Sequence, residues 1–123
     1  AELDKGIHGS TFGGNPLAAA ASLAALNALI DERLPERAAE LGAYLVAELQ
    51  KIESPLIREV RGLGLMVGIE IKQKVAPYLQ ALTERGVLAL PAGMTVIRLL
   101  PPLVITKEQV DEVVAVLKEI LET

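Results

Sequence analysis

A chain of 123 residues has the length of one domain with a real core, and its zero cysteines exclude disulfides and thiolate metal sites. Sixteen acidic side chains stand against twelve scattered basic ones, which excludes the basic stripe of a nucleic-acid or anionic-membrane surface, and one histidine makes no zinc or haem set. No apolar run reaches the roughly 18 residues of a membrane span and no secretory leader is visible, so the expected setting is cytoplasmic, with small metabolites and proteins as partners.

The first informative stretch is HGSTFGGNPL, residues 8 to 17. Asn15 suits a helix N-cap and Pro16 the first helical position, and LAAAASLAALNALI carries the helix to about Ile30. That helix is apolar on nearly every face, the pattern of a segment buried against a larger body or a partner chain. Asp31 to Leu34 breaks it, and Pro35 starts a second helix in which Leu41, Leu45, Leu49 and Ile52 recur at helical spacing. After Ser54-Pro55 the period becomes two. Ile57 to Arg61 and Leu65 to Ile71 read as a hairpin that turns over Gly62 to Gly64.

A short helix is expected over Lys74 to Arg85, with Gly86 as its left-handed cap. Two short strands follow, about Val87 to Leu90 and Thr95 to Leu100, around the turn PAGM, and Pro101-Pro102 ends the second. Thr106 and Gln109 have capping-box spacing ahead of a last helix with Val110, Val113, Val114, Leu117, Ile120 and Leu121 on its apolar face. The fold class expected is α+β, a small and mostly antiparallel sheet with helices on one face. Residues 1–31 stand apart as an irregular lead, a glycine loop and a connector helix, and residues 32–123 make the small domain.

Chemistry concentrates at two places. Gly9, Gly13 and Gly14 allow close backbone approach, and Ser10 and Thr11 offer hydroxyls just ahead of a helix N-terminus, where an anion is favoured. The spacing matches no nucleotide fingerprint, and the plainer reading of the loop is an N-cap and turn. Arg98, in TVIRLLPPL, is a guanidinium among apolar neighbours and requires a carboxylate or phosphate, from within the chain or outside it, unless water reaches it. His8 reads as a loop histidine, and Arg58, Arg61 and Glu70 read as a solvated strand face. No nucleophilic triad, paired catalytic carboxylate or metal-spaced cluster is present, so no catalytic residue is assigned.

The order HGSTFGGNPLAAAAS, IREVRGLGLMVGIEI, VIRLLPPLVITKEQVDEVV resembles the C-terminal third of class-III aminotransferases that use pyridoxal 5'-phosphate, over essentially the whole chain. It is most similar to the acetylornithine aminotransferase group, and IKQKVAPYLQALTERGVLALPAGMTVIRLLPPL is similar to the branch acting on lysine held by an amino-group carrier protein. The resemblance implies that Ser10 and Thr11 reach the cofactor phosphate of the neighbouring subunit in a homodimer. It also implies that the helix from Pro16 connects large and small domains. Arg98 would bind a substrate carboxylate, or pair with a neighbouring Glu when the substrate has none. The implied reaction moves an ω-amino group of acetylornithine or carrier-linked lysine to 2-oxoglutarate in arginine or lysine biosynthesis.

None of Lys5, Lys51, Lys72, Lys74, Lys107 or Lys118 has the family's Schiff-base context. The 123 residues alone are therefore expected not to transaminate. The contrasting expectation is a stand-alone α+β binding or oligomerisation module.

Overall fold

Residues 9–122 are described in a computed structural model, and its first helix, α1 (Pro16–Asp31), follows from its cap. The Asn15 side chain accepts the Ala18 amide at 2.9 Å and donates to the Phe12 carbonyl at 2.6 Å, while Pro16 presets the helical backbone. Arg33 ends the segment in the left-handed region, at a φ of 50°, a position more often held by glycine. The chain divides into two compact units, Ala1–Leu34 and Pro35–Thr123. Within the first, α1 buries none of its residues, and Leu17, Leu23, Leu26 and Ile30 are all exposed.

The second unit contains α2 (Leu34–Gln50) from Pro35 onward, β1 (Ile57–Leu63), β2 (Met66–Ile71), α3 (Ala76–Glu84), β3 (Leu90–Ala92), β4 (Val96–Leu99) and α4 (Lys107–Leu121). The strands form one antiparallel sheet in the order β1-β2-β4-β3. Alternation sends Val67, Ile69, Ile71, Ile97 and Leu99 to one face, where all are buried with Leu45 and Leu49 of α2, Leu82 of α3 and Val110, Leu117 and Leu121 of α4. The helices therefore cover that face, and the α+β layering matches the expected class.

Helix α2 comes down on the hairpin turn with no side chain between them. A Cβ built on Gly42 would lie 2.0 Å from the Gly64 carbonyl oxygen, so glycine is what permits the approach. Gly64 opens the two-residue turn at a φ of 54°, the sign that a tight hairpin wants at this position. On the opposite edge of α2, the Tyr44 hydroxyl donates to Asp111 at 2.5 Å. Lys107 donates to both, at 2.8 and 2.9 Å, and lies over the Tyr44 ring, joining α2 to α4. The capping box of α4 is formed: Gln109 and Thr106 exchange side-chain and backbone bonds.

Two expectations are displaced. The strand expected at Val87 to Leu90 begins only at Leu90, because α3 ends in a Schellman motif. Gly86, at a φ of 81°, bonds back to Thr83, and the Val87 amide bonds to Leu82, so Val87 is spent on the cap. The turn correspondingly falls on Gly93 to Thr95, and Pro91 and Ala92 join the sheet. Proline is tolerated there because β3 is an edge strand. The hairpin also departs from simple alternation, with an irregularity between Ile57 and Glu59 that sets Ile57 opposite Ile71 but Glu59 opposite Glu70.

Candidate functional site

The face of the sheet turned away from the helices carries the charged residues. Paired residues of antiparallel strands share a face, so Arg61, Gly68, Arg98 and Leu90 form one row across all four strands. The next row holds Glu59, Glu70, Val96 and Ala92. Gly68 leaves the floor between Arg61 and Arg98 without a side chain, and a Cβ there would press on Val96 at 3.2 Å. Leu63, Met66 and Leu90 are exposed on the same face.

Arg98 is half-buried, and its Nε is buried with no hydrogen-bond partner among the described residues. A donor taken from water and left unpaired is costly, so a guanidinium in this state is poised for an acceptor. Among the described residues the internal pairing that the sequence left open is not made. Glu70, one row away, is turned to β1: Arg61 donates to one of its oxygens at 2.9 Å and Arg58 to the other at 3.0 Å. Arg61 also binds Glu59 at 2.6 Å. The Arg61 hydrogen bond, against a smaller opposing effect of desolvation and with help from Arg58, holds the Glu70 carboxyl below the usual carboxylate range, and Glu70 in turn raises Arg61.

Strict alternation would send Arg58 and Arg61 to opposite faces, since they are three apart. The irregularity at Ile57/Glu59 brings both to Glu70, and no local sequence signal marks it. The solvated-face reading of Arg58, Arg61 and Glu70 thus understates an ion-pair network.

Ser10 and Thr11 lie in the first unit, both exposed. The Ser10 carbonyl accepts the Gly13 amide at 3.3 Å, and neither hydroxyl is engaged among the described residues. Among the described residues a Cβ on Gly9 or Gly14 would meet nothing within 4 Å, whereas one on Gly13 would meet Ser10 at 3.2 Å, so the loop ahead of α1 is open at its first and last glycines. Two free hydroxyls in an open glycine loop before a helix suit the oxygens of a phosphate. His8 and Lys5 lie outside the described residues. Lys51, Lys107 and Lys118 are tied to Glu48, Asp111 and Glu122 on helix surfaces. A groove of about 780 Å³ beside α4, lined by Val87, Leu99, Pro102, Val110, Val113 and Val116 among others, is mainly apolar and does not include Arg98. Among the described residues no acidic or histidine cluster could hold a metal, and no helix is long and apolar enough to cross a membrane.

The family model for class-III aminotransferases matches residues 1–121, and the chain belongs to that family. It is 54% identical over 119 residues to an ornithine aminotransferase of Exiguobacterium sp., covering 97% of this chain and 30% of the relative. It is 56% identical over 120 residues to the [LysW]-aminoadipate semialdehyde transaminase of Deinococcus radiodurans, covering 97% and 28%. The crystal structure of an acetylornithine aminotransferase from Elizabethkingia anophelis superposes with a TM-score of 0.86 at 43% identity, covering 97% of this chain and 33% of that one. The chain thus spans about a third of the length of these proteins. The family's enzymes use pyridoxal 5'-phosphate.

Proposed function

We propose that this chain is the C-terminal part of an aminotransferase that moves an ω-amino group from an ornithine-like donor to 2-oxoglutarate. The donors in view are ornithine, acetylornithine and lysine on an amino-group carrier protein, and the setting is cytoplasmic arginine or lysine biosynthesis. Residues 1–31 would close the cofactor domain and 32–123 form the small domain. The observation that carries the reading is the unpaired, buried Nε of Arg98 on an otherwise apolar strand.

Pyridoxal phosphate, when bound, supplies the electron sink on which amino transfer depends. Ser10 and Thr11 would donate their hydroxyls to its phosphate across a homodimer interface, and the apolar α1 suits burial in such an assembly. Arg98 would receive a substrate carboxylate. Its planar fork can give two parallel hydrogen bonds, which orient the substrate as well as attract it. Gly68 keeps the floor beside the fork low enough for a ligand to lie against the sheet. No lysine of this chain is assigned to the cofactor, and the 123 residues alone are expected to be inactive.

The test is Arg98→Ala in the enzyme that carries this chain. A charge-assisted hydrogen bond contributes about 1.5–3 kcal/mol, so the KM for 2-oxoglutarate should rise at least roughly tenfold while cofactor retention is unchanged. Equal loss of both would refute the assignment.

A further inference from the structure

We infer that Arg58 and Arg61 are positioning residues that keep Arg98 open to a substrate carboxylate by holding Glu70 away from it. The inference rests on the reading of Arg98 as a carboxylate anchor and adds the means by which Glu70 is kept from it.

Glu70 faces Val96 across the β2-β4 ladder, and Gly68 faces Arg98, so Glu70 and Arg98 stand diagonally on the same face. Such neighbours are about 7–8 Å apart at their backbones, a distance that two long side chains span easily. A carboxylate beside an unpaired guanidinium is expected to close on it, because each gains a partner. Here it does not. Both Glu70 oxygens are taken from the β1 side, one by Arg58 and one by Arg61. The strand irregularity before Glu59 makes this double grip possible by adding Arg58 to the face that Arg61 already occupies. Glu59 binds the same Arg61 nitrogen, so two cations are matched by two anions and the network adds no net charge beside Arg98.

Losing the grip frees Glu70 to turn to Arg98 and compete with the substrate. The experiment measures the Kd of glutarate, an unreactive dicarboxylate, and the KM and kcat for 2-oxoglutarate in the enzyme that carries this chain. The double variant Arg58→Gln, Arg61→Gln should raise both Kd and KM roughly fivefold to tenfold, a change of about one unit in log affinity, with kcat within about twofold. Adding Glu70→Gln should restore both constants, since the carboxylate diagonal to Arg98 is then gone. Adding Glu59→Gln instead makes the same charge change and should restore neither. Failure of Glu70→Gln to rescue, equal rescue by both, or no effect of the arginine double variant overturns the inference while leaving Arg98 as the anchor. If Arg98→Ala leaves the glutarate Kd unchanged, the underlying reading fails and this one with it.

Discussion

Gly42→Ala is expected to destabilise the second unit, against the ordinary preference of helices for alanine. In an exposed helix interior the change would gain about 0.5–1 kcal/mol. At Gly42 the new methyl would sit 2.0 Å from the Gly64 carbonyl oxygen, where ordinary contact begins at 3.4 Å, so helix and turn must part by more than an ångström. Neither partner gives cheaply. The obstacle is backbone, Gly64 is already in the left-handed region, and the same helix carries Leu45 and Leu49, 2% and 0% exposed, into the core. Overpacking of this kind costs about 1–3 kcal/mol, occasionally more, and moving two core leucines places the change at the upper end. Setting the helix gain against it leaves a net loss of about 2 kcal/mol, or roughly 8–16 °C in Tm for a unit of this size. Urea and thermal unfolding read the effect. Ala43→Gly, at the exposed neighbour, supplies the contrast with an ordinary helix loss of about 1 kcal/mol. A Gly42→Ala chain as stable as the parent would refute the argument.

Thr106→Ala removes the hydroxyl half of the α4 capping box and should cost about 1 kcal/mol in urea unfolding. Asp111 is held below its ordinary value of 3.8 by the Tyr44 hydroxyl and then by Lys107, so folding favours the ionised carboxylate. That support is complete above about pH 4 and fades as pH falls through the lowered value, so Asp111→Asn should flatten the acid limb of Tm against pH; an unchanged limb would remove the cluster from the account. Sedimentation of the isolated 123-residue chain should show self-association that Leu23→Glu with Leu26→Glu abolishes, and a parent chain monomeric at every concentration would refute the role given to α1.

Elements with chemical punctuation were legible in the sequence. Asn15-Pro16 and Thr106 to Gln109 start helices by satisfying amides that a helix leaves open, and both caps form. The core faces of β2 and α4 followed from their periods. What escaped depends on individual hydrogen bonds and pairings that periodicity does not encode. Val87 looks like the first residue of a strand, yet its amide closes the α3 cap, which delays β3 to Leu90. Arg58 looks like the far side of β1, yet one irregular pairing moves it to Glu70. For Arg98 the apolar neighbours announced a guanidinium in need of an acceptor, but not whether the chain would supply one. Glu70, the carboxylate diagonal to it, proved to be committed elsewhere.

The two outer strands also decide how this sheet can meet other chains. An open strand edge is a template for adding another strand, and both edges here are spoiled. Pro91 lacks an amide in the middle of three-residue β3, and β1 breaks step between Ile57 and Glu59. Lateral growth into a continuous intermolecular sheet is thereby discouraged at each rim. Side-by-side strand addition is the less favoured route of association, and the broad faces, where side-chain shape and charge select the partner, the more favoured one.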